Sequence, residues 1–282
     1  MAFDPSRIPE SLKDAYKKGL CGFYVGAGAS RPAGLPMWGG MLEAMLKRAV
    51  AEKLVDAKAE KEYLALIADP SKYLMVASAL KEVLARYFED FIRATFVAPK
   101  PKPTALHRGL AELKNLQFVI TTNYDALIER AFQAVDPDVA VCTFKDVGAT
   151  QSSLRTREFF ILKAHGDATK AGNGIVMTDA DYRDLLYTQR AYQAMLSYML
   201  SMYTIVFIGT SMADPELQLL LGYISDVFLP TAGPQHYALI SQEMSEVEQG
   251  RWRKDFNVNI IPVSKADDYA EVTEFVEALA KV

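Results

Sequence analysis

The stretch FYVGAGAS, residues 23–30, is a short apolar run that breaks into glycine, alanine and serine. Such a run reads as a buried strand, and the glycines at its end allow close approach to another backbone or to a ligand. Upstream, PESLKDAYKK (9–18) forms a first helix, with Pro9 near its start and Gly19 after its end. Downstream, from Trp38 to about Phe96, Leu, Met, Val and Tyr recur at three- and four-residue steps, the spacing of helices that pack by one face. APKPKP (98–103) then punctuates the chain, and TALHRGLAEL (104–113) returns it to helix.

Beyond this block, strands and helices alternate. FVIT (118–121) is a strand, YDALIERAFQAV (124–135) a helix, and VAVCTF (139–144) and FFILKA (159–164) are strands. Helices follow from about Thr178 to Met202, then strand TIVFIG (204–209) and helix PELQLLLGYISDVF (215–228). Strand HYALI (236–240), a further helix, strand NVNIIPV (257–263) and a last helix from about Asp268 complete the pattern. Continuous apolar strands alternating with helices predict an α/β fold: a doubly wound, mostly parallel, Rossmann-like sheet covered on both faces. One domain over 1–282 carries residues 40–100 as an inserted helical subdomain.

The polar and glycine-rich residues fall at four strand ends. GAGAS follows FYV, TTNYD (121–125) follows FVI, HGD (165–167) follows FFILKA, and GTSMADP (209–215) follows TIVFI. In a parallel sheet these ends share one edge, where ligands bind near the reversal of strand order. Each turn alone has a plainer explanation. Gly26 and Gly28 could simply make a tight turn, and Asn123 could cap a helix starting at Tyr124. His165 could be an interior histidine, and Pro215 the first residue of a capped helix. Their convergence on one edge is what points to a ligand.

Composition narrows the function. Hydrophobic residues make up 50% of the 282 and charged residues 23%, as in an ordinary folded protein. The net charge of −4, with only the short basic clusters KPKP (100–103) and LRTR (154–157), argues against direct nucleic-acid binding. The two cysteines, Cys21 and Cys142, are far apart, which excludes a zinc ribbon and disfavours a disulfide framework. Neither a signal-peptide pattern nor a membrane-spanning apolar run is present, so a reducing cytoplasmic setting and no membrane association are expected.

Gly26, Ala27 and Gly28 suit the approach of backbone N–H groups to a pyrophosphate, with the Ser30 hydroxyl beside them. The dinucleotide fingerprint is nevertheless incomplete, because Arg31 stands at its third glycine and a helix replaces the expected second strand. No G-x-x-x-x-G-K-[ST] run exists either. A dehydrogenase and a P-loop phosphotransferase both lose support.

In its order of motifs the chain resembles the sirtuin-like family. GAGASRPAGLPMW (26–38) is similar to that family's first nucleotide-binding stretch, TTNYD to its threonine-glutamine-asparagine-x-aspartate signature, HGD to its catalytic histidine-glycine and GTS (209–211) to its third nucleotide-binding turn. The resemblance implies that Ala27, Gly28 and Ser30, with Gly26, hold a pyrophosphate. It implies that Thr122, Asn123 and Asp125 surround the nicotinamide ribose, with His165 as general base, and that Gly209, Thr210 and Ser211 hold the adenosine side. Trp38 stands where the family has a phenylalanine over the reactive sugar carbon, and Gly39 replaces the arginine after it.

Two departures shape the expected reaction. The four-cysteine zinc module of protein-deacylating sirtuins is absent, so no metal is expected, and the segment after His165, GDATKAGNGIVMTDADYRDLLY (166–187), has no peptide-pairing run. With Thr122 in place of glutamine, the chain is more similar to the prokaryotic anti-phage branch that hydrolyses NAD. The resemblance therefore implies an NAD glycohydrolase with NAD as substrate, releasing nicotinamide and ADP-ribose. It also implies activation by homo-oligomerisation or by a partner such as a translocase-type ATPase or a short Argonaute. A lysine deacylase and a non-catalytic NAD or ADP-ribose sensor are the alternatives.

Nicotinamide leaves as a neutral base, so the bond can break without a protonating carboxylic acid. Orientation of the sugar and a base for water then suffice, roles suited to the Asn123 amide and to an imidazole such as His165.

Overall fold

The computed structural model of the chain describes residues 3–170, 174–210, 212, 215–228 and 233–282. Helix α1 (Glu10–Lys17) leads into strand β1 (Cys21–Val25), which is followed by α2 (Trp38–Ala51), α3 (Ala57–Ile67), α4 (Tyr73–Leu84), α5 (Phe88–Phe96) and α6 (Ala105–Ala111). The alternating part then runs β2 (Leu116–Thr121), α7 (Leu127–Gln133), β3 (Ala140–Thr143), α8 (Val147–Thr156) and β4 (Phe160–Lys163). After α9 (Asp179–Tyr187) and α10 (Arg190–Met202) come β5 (Thr204–Ile208), α11 (Pro215–Phe228), β6 (His236–Ser241), α12 (Glu246–Phe256), β7 (Val258–Val263) and α13 (Ala270–Leu279).

Among the described residues the strands form one seven-stranded sheet in the order β3-β4-β2-β1-β5-β6-β7, parallel at every pairing. The chain builds outward from β1 on one side through β2, β3 and β4, then crosses to the other side through β5. That reversal, between β1 and β5, opens the crevice in which such sheets bind ligands.

The apolar strands are explained by burial on both faces. Phe23 and Val25 of β1, Val119 of β2 and Val206 and Ile208 of β5 join one core cluster. Tyr24, Phe118, Ile120, Phe207 and, from β4, Phe160 and Leu162 join another on the opposite face. Successive residues point to opposite sides of a strand, so a strand covered twice must be apolar throughout. The helix starts are equally local. Asp56 caps α3, while Thr178 with Asp181 and Ser245 with Glu248 form capping boxes on α9 and α12.

A third cluster sits in the helices between β1 and β2. Met41, Leu42, Met45 and Leu46 of α2 pack with Val76, Ala77 and Leu80 of α4 and with Phe91 and Ile92 of α5. The same cluster takes in Tyr124, Leu127, Ala168 and Met177, which follow β2 and β4. The apolar stripes of these helices thus pack inward and fix the block over the carboxyl edge of the sheet.

Two local expectations differ from the structure. Between the strands VAVCTF and FFILKA, where the pattern predicts no helix, the LRTR segment lies largely within α8. This helix fully buries only Thr150 and Ser153 and adds the half-buried Val147 and Leu154, too few apolar residues to mark a period. The helix after β2 starts at Leu127 rather than at Tyr124, and Asp125 Oδ1 accepts from the Leu127 amide at 2.9 Å. Asn123 is therefore not a helix cap.

Candidate active site

The four turns singled out by sequence leave four adjacent strands, β4, β2, β1 and β5, and so form one continuous edge. The turns after β1 and β5 are zipped together. Gly26 N–H donates to Ile208 O at 3.0 Å, and Gly28 N–H donates to Gly209 O at 2.8 Å. A Cβ at Gly26 would come within 2.6 Å of Gly209 O, and one at Gly209, whose φ is +62°, within 2.5 Å of Ala29 N. Both glycines are there because two backbones touch. The amides of Gly26 and Gly28 are thus committed to the fold instead of facing a pyrophosphate.

The turns after β1 and β2 meet through Asn123. Its Nδ2 donates to Gly26 O at 3.2 Å and to Ser30 Oγ at 3.0 Å, while its own N–H donates to Thr121 Oγ1 at 3.1 Å. Thr121 Oγ1 in turn donates to Val25 O at 2.9 Å. Asn123 is 6% exposed, and its Oδ1 has no hydrogen-bond partner among the described residues. A buried acceptor left open carries a cost that a hydroxyl donor from a ligand would remove.

The turn after β4 carries His165, 4% exposed, its ring edge-on to Tyr182 at 5.3 Å between centroids. His165 O accepts from Val176 N at 3.1 Å, and Ala168 N donates to Tyr124 O at 3.0 Å, which joins this turn to that of Asn123. The other histidines, His107 and His236, lie in the interior, where burial pushes each imidazole down to about 4. His165 is the histidine that reaches the edge.

A cleft of about 750 Å³ opens there. Gly26, Ala27, Ser30, Trp38, Thr122, Asn123, Asp125, His165, Gly209 and Thr210 all line it. Gly28 is not part of that lining, and Ser211 lies outside the described residues. Trp38 is half-buried and tilted against Tyr73 at 6.2 Å, and a Cβ at Gly39 would come within 2.7 Å of Tyr73 Oη. The glycine in place of the arginine therefore makes room for Tyr73. Arg31, at the missing third glycine, pairs with Asp268 and lies 5.8 Å from the Tyr269 ring centroid.

Tyr73, Phe96 and Tyr182 also line the cleft and escaped the sequence reading, because each belongs to a helical apolar stripe that looks like any core position. Among the described residues no group of three or more His, Cys, Asp or Glu could hold a metal, and no helix is long and apolar enough to cross a membrane.

Residues 117–261, about half of the chain and three of the four turns, match the SIR2-like domain family. The chain belongs to the SIR2-like family. Defense-associated sirtuin 2 of Bacillus subtilis is 25% identical over 218 residues, 76% of this SIR2-like chain and 20% of that protein. NAD(+) hydrolase ThsA of Cytobacillus dafuensis is 26% identical over 84% of this chain and 44% of its own length. ThsA of Enterococcus faecium is 24% identical over 99% of this chain and 59% of its own. The chain thus spans between about a fifth and three fifths of these relatives' lengths. A solved Sir2 homologue in complex with ADP-ribose is 16% identical, with a TM-score of 0.45 over 97% of each chain.

Proposed function

We propose that this SIR2-like chain cleaves NAD between its ribose and nicotinamide, giving nicotinamide and ADP-ribose. The observation that carries the reading is the Asn123 amide, held from its nitrogen by Gly26 and Ser30 and open at its buried Oδ1, in one cleft with His165. The cleft volume lies within the range of about 300–1,000 Å³ usual for small-molecule and cofactor sites. The names of the defence sirtuin and ThsA relatives support the same chemistry and a role in defence.

In this reading Ser30 and the Ala27 turn face the pyrophosphate, and Gly209 and Thr210 the adenosine half. Asn123 Oδ1 accepts from a ribose hydroxyl and so sets the sugar's orientation. Thr122 and Asp125 complete the wall around the ribose, and Trp38 covers its reactive carbon. Water oxygen bonds to that carbon as the carbon–nitrogen bond breaks. Nicotinamide leaves neutral with the bonding electron pair, and the water's proton passes to His165.

Unrestrained NAD cleavage would exhaust its host, so the reading includes control by self-assembly or by a partner protein, a translocase-type ATPase or short Argonaute among them. Chromatography of the products formed from NAD alone tests the chemistry. Nicotinamide and ADP-ribose that fall away in Asn123→Ala and His165→Ala support it. Nicotinamide release only when an acyl-lysine peptide is added assigns the cleft to deacylation instead.

A further inference from the structure

Next to the cleft, and sharing Asp125 with its lining, lies a buried charge cluster whose Lys163 and Glu129 have no part in the proposed chemistry. Lys163, the last residue of β4, is 0% exposed, and its Nζ donates to the backbone oxygen of Asp125 and to Glu129 Oε1. Asp167 Oδ1 is 3.7 Å from the same nitrogen. Glu129, Asp167 and Asp125 are all buried, and Glu129 Oε2 has no partner among the described residues. The buried His107 ring, on α6, also feels the Asp125 charge. Burial alone would favour a neutral Lys163 amine, but the facing carboxylates of Glu129, Asp167 and Asp125 outweigh it and hold the pKa above its ordinary value.

The placement is what matters. Lys163 lies two residues before His165, and Asp125 two residues after Asn123. One ammonium therefore ties the strand end that carries the histidine to the turn that carries the amide. Two backbone bonds run beside it, Ala164 N to Thr121 O at 2.8 Å and Ala168 N to Tyr124 O at 3.0 Å. A buried ion pair contributes little net stability against a well-packed apolar pair, so stability alone is a weak reason for this one.

We propose that Lys163, clamped by Glu129 and the Asp125 carbonyl, is a positioning residue that sets the distance between His165 and Asn123 for attack on the sugar. This inference rests on the NAD-cleavage reading above. It predicts that shape and charge at this point govern turnover more than substrate binding.

The test compares Lys163→Met with the double variant Lys163→Met/Glu129→Leu. The single change leaves Glu129 buried without its counter-charge and lowers the melting temperature sharply. The double change removes both charges, leaves Asp167 with its Thr169 amide and hydroxyl donors at 2.9 and 2.7 Å, and recovers cooperative unfolding. A merely structural clamp would recover activity together with stability. A positioning clamp would not: kcat stays down by roughly 100-fold, the cost of a displacement near 1 Å, while KM for NAD changes by less than about threefold. A stable double variant with the kcat of the natural protein overturns the proposal.

Amide hydrogen exchange in Glu129→Gln supplies a readout that needs no turnover. The Ala164 and Ala168 amides should exchange roughly tenfold faster while Ala238 on β6 keeps its rate, a local opening of one segment. Unchanged exchange at Ala164 and Ala168 overturns the clamp. A natural protein that leaves NAD intact overturns the cleavage reading, and exchange still decides the clamp.

Discussion

Asn123 Nδ2 donates to Ser30 Oγ at 3.0 Å, joining the turn after β2 to the turn after β1. The second Nδ2 proton goes to Gly26 O at 3.2 Å, so the orientation of the amide is fully specified and its buried Oδ1 is left as the acceptor. Asn123→Asp places a carboxylate oxygen against the Gly26 carbonyl, which can only accept, and turns the Ser30 hydroxyl from acceptor to donor. Turnover of NAD is expected to drop by roughly 10²–10³-fold, as for loss of a preorganised polar group. Steady-state assay beside a thermal melt checks this, and Ser30→Ala, which removes one acceptor, should cost less.

The close approach of Gly26 and Gly209 makes a graded prediction. Gly26→Ala drives a Cβ to 2.6 Å from Gly209 O and is expected to destabilise the fold by roughly 1–3 kcal/mol. Gly209→Ala adds the left-handed backbone penalty, about 1–2 kcal/mol more. Gly148, in α8 with nothing within 4 Å of its would-be Cβ, is the control. Gly148→Ala should raise stability by about 0.5–1 kcal/mol through better helix propensity. Urea unfolding of the three variants orders them.

Acid should weaken the fold through its interior histidines. His236 accepts from Ile205 N at its Nδ1, and burial holds it near 4, well below its ordinary 6.5. His107 is held near 4 by burial, against the opposing charge of Asp125. Because both are depressed in the fold, the unfolded chain binds more protons between pH 6.5 and about 4, and stability present above that window is lost on descending through it. His236→Asn keeps an acceptor for Ile205 N and removes the titration. Its urea midpoint should fall less from pH 7 to pH 5 than that of the natural chain, by an amount worth roughly 2 kcal/mol. An equal fall in both would contradict the assignment.

Much of this site is legible from sequence because burial and topology act together. β1, β2, β4 and β5 are predominantly apolar and buried along their whole length, as a sheet covered on both faces demands, and the residues after them then fall on one edge. What escaped has physical reasons. Helix α8 fully buries only Thr150 and Ser153, and its apolar contacts, Val147 and Leu154, are too few to mark a period. The Gly26 and Gly28 amides look free in sequence, yet they pair with the neighbouring turn, a contact set by strand order. Lys163 left one signal, a lone cation inside FFILKA directly before HGD. A charge in a strand buried on both faces must find counter-charges, and Glu129 of α7 and Asp167, four residues further on, supply them.

The central claim is that His165 accepts a proton from water attacking NAD bound at this edge. The most direct measurement is the rate of nicotinamide release from NAD by the natural protein and by His165→Ala, each confirmed to be folded. A loss of about 10²–10⁴-fold in the variant is the predicted result, the range expected for removing a general base. Undiminished release by His165→Ala would contradict the account.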